Sequence, residues 1–235
     1  MYSYKTTVSF SKIDKNGKMP LYEVLRYLQD CSTFQSQSLG IGPEYLLAHK
    51  RAWILLAYKI QLLKDIKYNE QIEIGTSALK FDKVMATRQF FIKDSSGEFA
   101  VKAESIWSLL DLESRMPTRI NQEDAVKYGC EEMFESIKPT RKMKFSGEKE
   151  VLGSVVVPNT YIDINGHMNN TNYARIAQEF LPDDFKYNQV EIVYSKEALE
   201  KETIVCALHK ESDGVGVTLE NQSGKPFTLI RYKNI

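Results

Sequence analysis

Near the start of the chain, apolar and polar residues alternate, with Thr6, Val8 and Phe10 on one side of a segment spanning residues 5–11. A period of two is that of a strand with one buried face. The period then changes: Leu21, Val24, Leu25 and Leu28 recur at i, i+3, i+4 and i+7, the spacing of a helix that buries one stripe. That helix is expected to run to about Ser38 and to stop before Gly40-Ile41-Gly42-Pro43. Strands follow: 52–63, rich in Trp, Ile, Leu and Tyr; 71–79, which alternates; and 85–93, pairing with 99–110 across the Ser95-Ser96-Gly97 turn.

After Met116 the rhythm breaks into mixed charges with Pro117 and Pro139, and Asn121 is placed to cap a short helix ending at Tyr128. The earlier plan then returns, with a strand at 150–157, a helix near 170–180 and strands near 189–194, 203–209, 214–221 and 227–233. One helix per unit followed by consecutive strands predicts an α+β fold. The strands are too closely spaced for helical crossovers, so the sheets should be antiparallel. The expected organisation is a first domain over 1–120, a connection over 121–149 and a second domain over 150–235.

A repeated phrase supports two copies of one plan. Ile13-Asp14-Lys15-Asn16-Gly17-Lys18-Met19 returns 149 residues later as Ile162-Asp163-Ile164-Asn165-Gly166-His167-Met168, each copy leading into a helix. The strand–turn–strand around Ser96-Gly97 returns 127 residues later around Ser223-Gly224, so the second copy is shorter between helix and hairpin. Both phrases keep Asp, Asn, Gly and Met, and only the second has a histidine. One copy is thus expected to carry chemistry and the other to serve as scaffold.

Composition narrows the function classes. Lys plus Arg and Asp plus Glu number 31 each, which gives no bulk attraction to nucleic acid or to a membrane surface. Cys31, Cys130 and Cys206 are widely separated and accompany only three histidines, so neither a disulfide framework nor a structural metal site is expected. The start of the chain lacks the apolar core of a signal peptide and no run approaches a membrane span, which places the protein in the cytoplasm.

Asp163, Asn165 and His167 stand at i, i+2 and i+4 just before a helix. In extended geometry that spacing puts three side chains on one face. A histidine exchanges protons near neutral pH, a carboxylate orients it and a carboxamide donates to a developing oxyanion. The plainer reading of the phrase is a turn with a surface histidine. The exchange of His167 for Lys18 in the other copy favours the chemical reading.

The sequence resembles the acyl-acyl carrier protein (ACP) thioesterases over nearly its whole length. The resemblance rests on Arg51-Ala52-Trp53-Ile54-Leu55, on Ile106-Trp107-Ser108-Leu109-Leu110-Asp111-Leu112 and, most specifically, on the phrase D-x-N-x-H-x-N-N-x-x-Y from Asp163 to Tyr173. The family folds as two fused hotdog domains, each a long helix packed on a curved antiparallel sheet. The resemblance implies catalytic Asp163, Asn165 and His167, with Glu197 in the downstream segment Val190–Ala198. In plant relatives a cysteine assigned as a nucleophile follows that glutamate. Here Ala198 stands in its place and Cys206 lies further on, read as a buried structural residue, which favours hydrolysis by an activated water. Backbone N–H groups near Asn169 and Asn170, at a helix start, are candidate oxyanion donors.

The resemblance further implies an acyl pocket in the first domain, with Leu25, Leu28, Trp53, Ile54 and Leu56 as candidate lining, each of which also reads as ordinary core. No cofactor or metal is implied. The expected partner is an acyl carrier protein, which is acidic, and the basic stretch with Arg141, Lys142 and Lys144 is the candidate docking surface. A fused pair is compatible with a monomer or with a homodimer. The rival functions are an acyl-coenzyme A thioesterase of the same fold, a non-catalytic acyl-binding module and a hotdog dehydratase.

Overall fold

A computed structural model of the chain describes residues 1–182 and 185–235. The chain divides into two compact units, one comprising Met1–Leu56 and Ile60–Pro139 and the other comprising Ala57–Lys59 and Thr140–Ile235.

The first unit contains β1 (Tyr2–Thr7), α1 (Leu21–Ser38), α2 (Pro43–Ala48), β2 (Arg51–Leu62, save its residues 57–59), β3 (Gln71–Phe81), β4 (Met85–Lys93), β5 (Phe99–Asp111) and α3 (Gln122–Tyr128). Its sheet has the order β1-β3-β4-β5-β2, and the pairs β1/β3, β3/β4 and β4/β5 are antiparallel. The apolar stripe of α1 behaves as its period requires: Leu21, Val24, Leu25, Leu28 and Cys31 are buried and the helix packs on β3. Register shifts between Ala78 and Lys80 and between Ile92 and Lys93 bend the sheet around the helix. Opposite Gly75 the ring of Phe91 fills the missing side-chain space; a Cβ there would lie 2.2 Å from it.

One element ends earlier than its alternation suggests. β1 closes at Thr7 and the chain enters a 3₁₀ turn over Phe10–Lys12, so Val8 is buried while Phe10 is 75% exposed. Asn121 caps α3 as expected, its side chain accepting from the Glu123 N–H at 3.1 Å. The segment beyond α3 is bound to the first unit. Gln89 and Glu104, partners across β4 and β5, are both buried. Gln89 Nε2 donates to the Phe134 carbonyl at 2.8 Å and its Oε1 accepts from the Met133 N–H at 2.9 Å. Glu104 accepts from Ser136 Oγ at 2.8 Å and from the Ile137 N–H at 3.1 Å. Residues 133–137 therefore form a strap tied by side chains, not by strand pairing.

The second unit contains β6 (Lys149–Val156), α4 (Asn170–Gln178), β7 (Gln189–Tyr194), β8 (Thr203–Glu211), β9 (Gly214–Glu220) and β10 (Pro226–Lys233), with sheet order β7-β10-β9-β8-β6. The pairs β7/β10, β10/β9, β9/β8 and β8/β6 are antiparallel, and α4 packs on β9 and β10. α4 has nine residues against eighteen in α1, which leaves it one buried stripe of Tyr173, Ala174, Ile176 and Ala177. The mixed α+β class with antiparallel sheets agrees with the sequence pattern.

Candidate active site

The phrase from Asp163 to Met168 is a tight turn and not an extended segment. The Asp163 N–H donates to the His167 carbonyl at 2.9 Å, the Gly166 N–H to the Asp163 carbonyl at 3.0 Å, and Asp163 Oδ1 accepts from the Asn165 N–H at 2.8 Å. Gly166 takes φ of +79°, which a side chain would disfavour. The face shared by alternate residues in a strand is therefore lost: Asn165 is exposed at the tip, and Asp163 and His167 flank its base. Asp163 acts here through the turn it closes.

The turn delivers His167 to a carboxylate. Its Nε2 lies 3.1 Å from Glu197 Oε2, with both side chains partly exposed. Glu197 is held by main chain on its far side, because the Met168 N–H donates to the Ala198 carbonyl at 2.8 Å. The Ala198 N–H in turn donates to Tyr173 Oη at 2.8 Å. Tyr173 is buried, and burial pushes its hydroxyl pKa far above the ordinary value, so it stays a neutral hydroxyl. α4 begins at once, with Asn169 Oδ1 accepting from the Thr171 N–H at 3.0 Å. The Asn169 N–H is spent on the Tyr161 carbonyl at 2.9 Å, so of the two helix-start candidates Asn170 remains as a donor.

The first unit repeats the turn and its main-chain tie, without the Tyr173 and Asn169 side-chain bonds, whose places are taken by Val24 and Pro20. Asp14 N–H donates to Lys18 O at 2.7 Å, Asp14 Oδ1 accepts from Asn16 N–H at 2.8 Å, and Gly17 has φ of +73°. The Met19 N–H donates to the Ile66 carbonyl at 2.8 Å, as Met168 does to Ala198. Lys67 N–H to Glu70 Oε2 and Leu199 N–H to Glu202 Oε2 are both 2.8 Å. The backbone positions of His167 and Glu197 are therefore those of Lys18 and Asp65, and there the side chains form an ion pair at 2.5 Å. The shared Asp, Asn and Gly build the turn in both units; what differs is the pair that the turn presents.

Models of the acyl-ACP thioesterase N-terminal and C-terminal domains match residues 1–128 and 148–232. The chain belongs to the acyl-ACP thioesterases. It is an enzyme that hydrolyses acyl-ACP thioesters, and apart from residues 57–59 the two matched regions fall one in each of the two units that carry the repeated turn. Among solved structures, an acyl-ACP thioesterase from Bacteroides thetaiotaomicron superimposes with a TM-score of 0.90 at 19% identity, covering 98% of this chain and 96% of that one. The 12:0-ACP thioesterase from Umbellularia californica gives 0.83 at 14% identity, again covering 98% and 96%. A DHNA-CoA thioesterase from Staphylococcus aureus covers 54% of this chain and 89% of its own, with a TM-score of 0.50 at 14% identity. A search of curated proteins finds no match to the sequence.

The other residues that the sequence singles out in this thioesterase fall in distinct places. Leu25 and Leu28 are core residues of α1, at 2% and 0% exposure. Trp53, Ile54 and Leu56 are half-buried on β2, where strand pleating puts Trp53 on the face opposite Ile54 and Leu56. Trp53 borders a cavity of about 10 Å³ with Ile41, Leu46, Leu109 and Tyr128, room for about one water. Arg141, Lys142 and Lys144 are exposed in the second unit. Cys206 is fully buried on β8 opposite Gly153, and burial pushes its thiol up to about 12. Tyr173 is the residue that sequence reasoning left without a role, although it closes the family phrase. Among the described residues no group of side chains could hold a metal ion, and no helix is long and apolar enough to cross a membrane.

Proposed function

We propose that His167 and Glu197 are the catalytic pair of this acyl-ACP thioesterase and that they hydrolyse fatty acyl-ACP directly, without a covalent enzyme intermediate. The observation that carries the reading is the 3.1 Å contact of His167 with Glu197 at the two positions where the corresponding turn of the first unit holds a lysine and an aspartate. An imidazole facing a carboxylate can take a proton from water, whereas a lysine already charged cannot. In this mechanism the pair removes a proton as the water oxygen bonds to the thioester carbon. The tetrahedral oxyanion then collapses, the C–S bond breaks, and the carrier thiolate leaves and recovers the proton. The products are a free fatty acid and the carrier thiol. Asp163 holds the turn, Asn165 at its tip faces the incoming thioester, and the Asn170 N–H at the start of α4 is a donor for the oxyanion.

Cys206 takes no part in this reading, because a thiol pushed up to about 12 holds almost no thiolate near neutrality. The first unit supplies the acyl pocket. Trp53, Ile54 and Leu56 have surface left for a ligand, while Leu25 and Leu28 are spent on the core. The exposed Arg141, Lys142 and Lys144 attract the acidic carrier, and the enzyme works in the cytoplasm without nucleic acid, as a monomer or as a homodimer of fused pairs. The test is release of free thiol from a panel of acyl-ACP substrates by wild type, His167→Ala and Glu197→Ala. The reading expects turnover in wild type and a loss of about 10²-fold or more in each variant. Activity that survives both substitutions would overturn it.

A further inference from the structure

The two units differ at a second place where their backbones agree. In the first unit the N–H groups of Leu63 and Lys64 donate to Ala100 O at 2.8 and 3.2 Å; in the second those of Ser195 and Lys196 donate to Phe227 O at the same distances. The facing hairpins match as well. Asp94 Oδ1 accepts from Ser96 N–H, Ser96 Oγ and Glu98 N–H at 2.9, 2.5 and 3.0 Å. Asn221 Oδ1 accepts from Ser223 N–H, Ser223 Oγ and Lys225 N–H at 3.0, 2.8 and 2.9 Å. Lys196 thus corresponds to Lys64, Asn221 to Asp94, and Lys225 to Glu98.

The chemistry at these matched positions is reversed. In the first unit Asp94 Oδ2 receives the Lys64 ammonium at 2.5 Å, and this contact, before any other, holds the carboxyl well below its usual range. In the second unit the three donors fix the oxygen of Asn221, so its other atom is the amide nitrogen, a donor. An amide donor and an ammonium cannot satisfy each other. Among the described residues Lys196 makes no ion pair, and its ammonium sits 5.6 Å from the centre of the Phe227 ring. Lys225 then adds a cation where the first unit has an acid. Of the neighbouring acids, Glu197 faces His167, Glu200 pairs with Lys201 at 3.5 Å, and Glu202 accepts from the Leu199 N–H and keeps its charge. Beside the hairpin runs an open groove of about 410 Å³ bordered by Lys201, Glu202, Thr203, Asn221, Ser223 and Phe227, the last being the ring that Lys196 lies over.

We infer that Lys196, Lys225 and the Asn221 amide bind a phosphate ester, that of the prosthetic arm on which the acyl carrier presents its thioester. This rests on the proposed catalytic pair, since Lys196 immediately precedes Glu197 and the arm must pass that residue to bring its thioester to the water. The first unit, with its ion pair closed, does not take the arm.

The test compares acyl-phosphopantetheine with acyl-pantetheine carrying the same acyl chain, on wild type, Lys196→Ala and Asn221→Asp. Asp94 closes the same turn in the first unit, so Asn221→Asp should fold normally and restore the ion pair. The expected result is a KM raised about tenfold for the phosphorylated substrate in both variants, with kcat and the KM for acyl-pantetheine unchanged; the size is that of one charge-assisted hydrogen bond. Equal KM changes on both substrates, or none, would overturn the site. Calorimetric binding of an S-alkyl phosphopantetheine thioether, which needs no turnover, separates the two proposals. Weaker binding to Asn221→Asp supports the site even if wild type fails to hydrolyse any acyl-ACP. Inorganic phosphate binding as tightly as the thioether would mean a free-anion site and sink the assignment to the arm.

Discussion

His167 Nε2 and Glu197 Oε2 lie 3.1 Å apart on a scaffold whose copy holds Lys18 and Asp65 at 2.5 Å. None of the bonds that build the scaffold uses the side chains of 167 and 197 or of 18 and 65, so side-chain identity at these positions is decoupled from the turn. The double variant His167→Lys/Glu197→Asp should therefore fold with a melting temperature close to wild type, because partly exposed pairs contribute about 1 kcal/mol or less. It should lose thioester hydrolysis by about 10²-fold or more. Thermal unfolding and thiol release on one preparation check both halves.

Cys206 should prove dispensable for turnover. Its thiol is fully buried and raised to about 12, so iodoacetamide at neutral pH should leave activity intact. Cys206→Ala should keep kcat within about twofold and cost roughly 1 kcal/mol, the scale of small core truncations. Stoichiometric labelling of Cys206 with loss of activity would contradict the water mechanism.

Tyr173 links α4 to the loop that carries Glu197. In Tyr173→Phe the buried Ala198 N–H loses its acceptor, at a cost of about 1–3 kcal/mol. The loop is expected to loosen and kcat to fall more than KM rises. Denaturant unfolding and steady-state kinetics together distinguish this from a purely structural role, which would leave kcat of the folded fraction unchanged.

The strap on the first unit depends on one buried carboxylate. Glu104→Ala removes the acceptor for Ser136 Oγ and the Ile137 N–H, and about 1–3 kcal/mol should be lost for the groups left unpaired. Protease cleavage should then appear between residues 133 and 139 before the rest of the unit opens, which limited proteolysis with mass spectrometry would read.

Leu28 and Leu56 should separate core from pocket. Leu28→Ala leaves a cavity against β3 and should cost about 2–5 kcal/mol with no change in acyl preference. Leu56→Trp fills half-open space and should shift the preferred acyl chain to shorter lengths with little loss of stability. Product profiling on an acyl-ACP panel beside thermal melts checks the contrast.

Much of this architecture was legible in the sequence because period and turn chemistry act locally. The stripe Leu21–Leu28, the Asn121 cap and the two Ser-Gly hairpins all appear where their patterns put them. Phe10 misled because alternation continues past the point where the chain leaves the sheet. Asp163, Asn165 and His167 do share one turn, yet the common face expected of an extended segment was lost to an Asx turn that the same Asp and Gly favour. The strap was hidden for another reason. Its anchors, Gln89 and Glu104, look like solvent-facing residues of alternating strands, and only their contacts with residues more than thirty positions away explain their burial.

The twin turns also bear on how such an enzyme changes with time. A socket closed by its own Asp, Gly and main-chain bonds carries no memory of the side chains it displays, so substitutions at 167 and 197, or at 18 and 65, are judged by what they do rather than by whether the chain still folds. The first unit is in that sense a spare: its Lys18–Asp65 clasp occupies the corresponding turn, and drift there is not held by the role proposed for His167 and Glu197.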